Sequence, residues 1–87
     1  MLINEIGETI MNIRSIGSNQ TLLTTNHGDE VLYSYETAVA GHHHTIGDFK
    51  TSKRYSNTTT KHINKYLNGV KAVVLSPEQI EQLFNEI

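Results

Sequence analysis

The sequence predicts an α+β domain: a small antiparallel sheet of about four strands in meander order, packed against one central helix and a C-terminal helix. Three observations carry this prediction. Apolar and polar residues alternate with period two through "VLYSYETAVA", Val31 to Ala40. Extended segments on either side are separated by turn-forming clusters, "GSN", "NHGDE" and "GHHHTIGD". The chain closes on "SPEQIEQLFNEI", whose spacing is helical and whose start carries its own cap.

Taken in order, "MNIRSIG" reads as a short strand ending at Gly17, and "QTLLTTN" as its antiparallel return, a hairpin turned by "GSN". Before it, Leu2, Ile6, Ile10 and Ile13 recur at helical spacing, while Gly7 and Thr9 weaken a helix there. Residues 1–87 are read as one domain, with residues 1–10 as an alternative N-terminal appendage if Met11 is the start. Val31 to Ala40 forms the longest expected strand, with Tyr33 and Tyr35 on one face. After the Gly41 to Gly47 turn, "FKTSKRY" reads as a polar, edge-like returning strand.

The spacing then predicts a helix over Asn57 to Leu67, with Ser56, Asn57 or Thr58 as N-cap and Asn68-Gly69 as the stop. Thr59, Ile63, Tyr66, Leu67 and Val70 make its inward stripe. "VKAVVLS" is a short strand or an extended crossing. In the last helix Ser76 is the N-cap, Pro77 fills the first position, and Gln79 completes a capping box. Ile80, Leu83, Phe84 and Ile87 give it one apolar face, and both helices are expected on the same face of the sheet.

Composition bounds function. With 87 residues the chain buries only roughly 60–65% of its unfolded surface, so association with a partner is favoured by a small core. Hydrophobic residues at 37% and charged residues at 18% place it among globular chains, away from disordered compositions. Cys is absent, which excludes disulfides, thiolate catalysis and Cys-ligated metal centres. No apolar run approaches the roughly 20 residues that span a bilayer, so no membrane association is expected, and the location expected is cytoplasmic.

The net charge of −2 is unevenly spread. Between Phe49 and Pro77 stand Lys50, Lys53, Arg54, Lys61, Lys65 and Lys71 with no acid; elsewhere Arg14 faces nine acids. A helix start rich in hydroxyls and flanked by cations suits phosphate, because its first N–H groups lack partners and carry partial positive charge. Lys50, Lys53, Arg54, Tyr55, Thr58, Thr59, Lys61, His62 and Lys65 are therefore the candidate binding residues, with Tyr55 placed to stack on a base. The competing reading makes Lys61 and Lys65 the solvated face of an amphipathic helix and the Ser/Thr run its cap.

Catalytic signatures are missing: there is no G-x-S-x-G elbow, phosphate-cradling glycine loop or H-E-x-x-H, so no enzyme and no cofactor are expected. His62 with Ser56 or Thr59 makes only a hydroxyl–imidazole pair without a third orienting group. In an extended turn His42 and His44 point the same way and can share a metal ion, with Asp48 or His27 as further ligands on offer. The triplet is read instead as a solvated hairpin tip, and no metal is assigned.

Three segments carry a resemblance: "LYSYETAVAG" (Leu32 to Gly41), "FKTSKRYS" (Phe49 to Ser56) and "TTTKHINKYL" (Thr58 to Leu67). The joint patterns Y-x-T-x-V-A and Y-S-x-T-T-x-K-H-x-N-K-aromatic-L resemble a group of short bacteriophage and prophage proteins, over about half the chain. The group has no activity to carry over. The resemblance implies a phage context, a host-cell cytoplasmic location and Met11 as an ancestral start. Two partner classes are expected: from the acid-free basic segment, nucleic acid or nucleotide phosphates; from the small size, the opposite charge poles and the resemblance, a host protein complex blocked by an anti-defence inhibitor of the anti-CRISPR kind. A homodimer formed by pairing an open edge strand near Lys50 to Lys53 is a third expectation.

Overall fold

A computed structural model of the chain describes residues 10–85. Among these residues six strands form one sheet whose spatial order follows the chain: β1 (Ile10–Gly17), β2 (Gln20–Thr25), β3 (Glu30–Ser34), β4 (Thr37–His43), β5 (Gly47–Thr51) and β6 (Val73–Leu75). Helix α1 (Asn57–Leu67) lies between β5 and β6, and α2 (Pro77–Asn85) follows β6. The α+β class holds, but the sheet is larger than expected and mixed. β1 to β5 pair antiparallel, and β6 pairs parallel to β5. A parallel neighbour requires a crossover, which α1 and its flanking loops supply.

The expected ten-residue strand through Val31 to Ala40 is two strands. A two-residue turn at Tyr35-Glu36 folds it, bringing Ser34 opposite Thr37, with Tyr35 at φ 59°. Neither residue is a usual turn former, so the alternation concealed the bend. The register then jumps from Leu32↔Ala40 to Tyr33↔Ala38. This β-bulge at Val39 turns Val39 and Ala40 to one face and Ala38 to the other. Tyr33 and Tyr35 consequently do not share a face: Tyr33 packs half-buried beside the α2 core, while Tyr35 is exposed in the turn.

The helices lie on opposite faces, correcting the expectation that both cover one. On one side Leu22, Leu32, Val39 and Ala40 pack against Ile63 and Leu67 of α1. On the other, Leu23, Val31 and Phe49 pack against Ile80 and Phe84 of α2. Consecutive apolar pairs, Leu22-Leu23 and Val31-Leu32, are what a strand buried on both faces requires. Each such side chain contributes about 1.5–3 kcal/mol on burial. Close approach shapes the centre as well: a Cβ at Gly41 would collide with the Glu30 carbonyl oxygen and come within 2.7 Å of the Phe49 ring.

Both helix starts are built as the sequence implies. Ser56 caps α1, its Oγ accepting from Thr59 N–H at 3.1 Å, and Asn68 closes the helix in the left-handed region. At α2, Gln79 N–H donates to Ser76 Oγ at 3.1 Å while Ser76 N–H donates to Gln79 Oε1 at 2.8 Å, a complete capping box. Val70, expected inward, is exposed beyond the helix end. Ile10 and Ile13 belong to β1 and not to a helix; Leu2, Ile6 and Ile87 lie outside the described residues. β5 lies between β4 and β6, so the strand carrying Lys50 has no open edge for the expected homodimer pairing.

Candidate functional site

The topology gives the sheet two chemically distinct ends. At one end lie the β1–β2 turn, the Tyr35-Glu36 turn, and the segment 52–56 that leads into α1. At the other lie the β2–β3 turn, residues 26–29, and the β4–β5 turn, residues 44–46, near which α1 finishes.

The first end holds the candidate cations. Lys53, Arg54 and Tyr55 are exposed in the loop, and the Lys53 ammonium sits 5.1 Å from the Tyr55 ring centroid, a cation–π contact. An Arg54 guanidinium N–H donates to Asn57 Oδ1, fixing the arginine beside the helix start. Thr58, Lys61 and Lys65 are exposed on the outer face of α1. Among the described residues no carboxylate forms an ion pair with any of these cations. Lys50 stands apart, half-buried on β5 opposite Ala40.

Two expected binding residues face the core instead. Thr59 and His62 are buried, and with Ser34 they form a chain of polar contacts: Ser34 Oγ lies 2.7 Å from His62 Nδ1 and 2.9 Å from Thr59 Oγ1. Ser56 Oγ–H donates onward to Thr59 Oγ1 at 3.3 Å. The cause is helical spacing. Thr59, His62, Ile63 and Leu67 fall on one stripe, and β3 presents Ser34 to it. A Ser–His pair of this kind can activate a hydroxyl only where substrate reaches it, and Ser34 is 2% exposed. The first-turn phosphate cradle is also partly taken, because Ser56 Oγ already accepts from Thr59 N–H.

The second end collects polar residues on both faces. Register alone aligns Glu30, His42 and Asp48 across β3, β4 and β5 on the α1 side. His42 Nδ1 pairs with Asp48 Oδ1 at 2.9 Å, and Tyr66 Oη–H donates to Glu30 Oε1 at 2.7 Å. These residues line an open cleft of about 330 Å³ with Gly28, Leu67 and Val70. Burial first, then the Glu30 hydrogen bond and the charges of Glu30 and Asp48, push the Tyr66 phenol well above its ordinary value. The pairs satisfy one another, so the cleft is set by folding before any ligand arrives.

On the opposite side Asp29, 0% exposed, is met by His44 N–H at 2.7 Å, His44 Nδ1 at 2.9 Å and His43 Nε2 at 3.6 Å. The histidine triplet is thus no solvated tip throughout. β4 runs to His43, so His42 and His43 point to opposite faces, and His44 turns away into the loop. His42 and His44 accordingly do not converge on one point. Sequence reading missed Asp29 and Glu30; the alignment of Glu30 with His42 becomes visible only once the β3–β4 hairpin is paired.

No helix among the described residues is long and apolar enough to cross a membrane. No curated protein and no solved structure matches the chain. Residues 11–82 match the model of a family of unknown function (DUF8033), a span covering β1 to β6 and most of α2, and the chain belongs to that family.

Proposed function

We propose that the chain is a non-catalytic, phage-type binding protein that takes nucleic acid or nucleotide phosphates on its cationic segment. The observation that carries this reading is the exposed set Lys53, Arg54, Tyr55, Thr58, Lys61 and Lys65, whose cations form no ion pair with carboxylates among the described residues. Cations left uncompensated by the described residues are available to phosphates, and Tyr55 beside Lys53 offers a ring for a base. Thr59 and His62 support the loop from within and do not touch the ligand. Titration of labelled single- and double-stranded oligonucleotides over a salt series tests this. Binding at low salt should weaken steeply as salt rises, and Lys61→Ala or Lys65→Ala should each reduce the salt slope by about 1 without loss of fold. Absence of binding at low salt, where the electrostatic attraction is greatest, overturns the proposal.

A second reading, an anti-defence inhibitor that blocks a host protein complex, is favoured by β1. Among the described residues it is an edge strand, and Met11 and Ile13 on it are 64% and 59% exposed. An open edge with apolar side chains suits strand addition to a partner sheet. A host protein retained stoichiometrically by the wild-type chain and released by Ile13→Lys supports this reading; retention unaffected by that change counts against it.

A further inference from the structure

We infer that the β2–β3 and β4–β5 turns together form a divalent transition-metal site, with His27, Asp29 and His44 as its ligands. Their donor atoms all lie within 4.8 Å of one another, a spread that three ligands of one ion can occupy. Two imidazoles and a carboxylate form a donor set that suits zinc, iron and neighbouring divalent metals, and it leaves positions open for water or another ligand.

The buried carboxylate is the strongest part of the argument. Asp29 is 0% exposed, and removing an ionised carboxylate from water is costly unless positive charge or hydrogen bonds compensate. Among the groups that meet it are the His44 amide and the imidazoles of His44 and His43, and of these the His44 ring is also a ligand of the proposed centre. A cation between Asp29 and His44 compensates the charge directly. His27 and His44 are both exposed, with ring centroids 5.4 Å apart and edge to face, so an ion reaches them without opening the core.

The ligands are held by a surrounding framework. Thr25 Oγ1 accepts from both His27 N–H and Asp29 N–H at 3.3 Å, shaping the turn that carries two of the three ligands. The His44 amide bond to Asp29 Oδ1 ties the second turn to the first. His43 stacks on His44 at 4.4 Å, packs edge-on to Phe84 at 5.4 Å, and accepts Thr45 N–H at its Nδ1, which leaves its Nε2 directed at Asp29. Carboxylate ligands are commonly oriented by such partners. Coordination through His44 Nδ1 requires that the ring carry its proton on Nε2, on a side chain that is half exposed.

The untagged full-length chain, stripped with a chelator that is then removed, should bind one Zn²⁺ per molecule with micromolar or tighter affinity by calorimetry. At a hundredfold excess over Kd its melting temperature should rise by on the order of 10 °C. His27→Gln and His44→Gln should each weaken Zn²⁺ binding at least tenfold while the metal-free circular dichroism is unchanged. His42→Gln, which alters the pair with Asp48 on the other face, should bind Zn²⁺ like the wild type. Because Asp29→Asn changes a buried group and can unfold the chain, the exposed His27→Gln variant decides the matter. No saturable Zn²⁺ binding, unchanged affinity in both His27→Gln and His44→Gln, or loss of binding in His42→Gln overturns the assignment.

Discussion

Ser34 illustrates how one small polar residue ties two elements together. Its hydroxyl is within hydrogen-bond distance of both His62 Nδ1 and Thr59 Oγ1 in a site closed to water. Ser34→Ala removes one partner from each and should cost roughly 1–3 kcal/mol, the penalty for leaving buried polar atoms unmet. Thermal denaturation checks this; an unchanged melting temperature would show that the hydroxyl chain adds nothing to the fold. Tyr66 gives a second test through pH. Its phenol is held protonated above the ordinary value of about 10, so at higher pH the unfolded chain loses a proton that the folded chain keeps. Stability from this source is full below about pH 10 and declines as pH rises further. Tyr66→Phe should flatten the alkaline decline measured by denaturant titration, leaving a smaller slope from Tyr33, whose phenol burial also raises. These roles were hidden in the sequence because His62 and Thr59 read equally well as ligand-binding groups until the stripe they share with Ile63 was seen to face β3.

The two helices differ in how legibly they were written. In α2, Ser76, Pro77 and Gln79 stand at positions whose chemistry is local, and the capping box forms as the spacing implies. In α1 three residues competed for the cap, and Ser56 takes it because its Oγ also reaches Thr59 Oγ1 on the buried stripe. Ser76→Ala should therefore cost about 1 kcal/mol, the ordinary worth of an exposed cap. Ser56→Ala should cost more, since it disturbs both a cap and the polar chain beneath α1, and equal losses from the two substitutions in urea denaturation would contradict that coupling. The strands were less legible. Alternation survives a two-residue turn unchanged, so the Tyr35-Glu36 bend and the bulge at Val39 left no mark in the pattern. The histidine triplet was likewise decided by where β4 ends, a boundary set by its pairing with β5 and not by the residues themselves.

At the scale of the molecule, the order of the strands follows the chain, so most pairings join neighbours and were within reach of sequence reasoning. The departure is β6, which reaches β5 only after α1 has crossed one face, while α2 returns over the other. Burial grades across the sheet in step. Leu32, Val39 and Ala40 in the central strands are 0% exposed, whereas β6 has three residues, two of them exposed, and β1 exposes Met11 and Ile13. Opening β6 breaks one ladder and uncovers little apolar surface, but opening β3 or β4 breaks two ladders and uncovers both cores at once. Native-state hydrogen exchange should therefore find the slowest amides in β3 and β4, opening only with global unfolding, and β6 amides exchanging at least about a hundredfold faster. The same gradient predicts that a destabilising substitution at Ile63 slows no exchange and speeds β3 and β4 by its full effect on global stability, while β6 responds weakly. If β6 exchanged as slowly as β3, the parallel ladder would have to open together with the rest of the sheet, and the crossover through α1 would belong to the same cooperative unit as the meander.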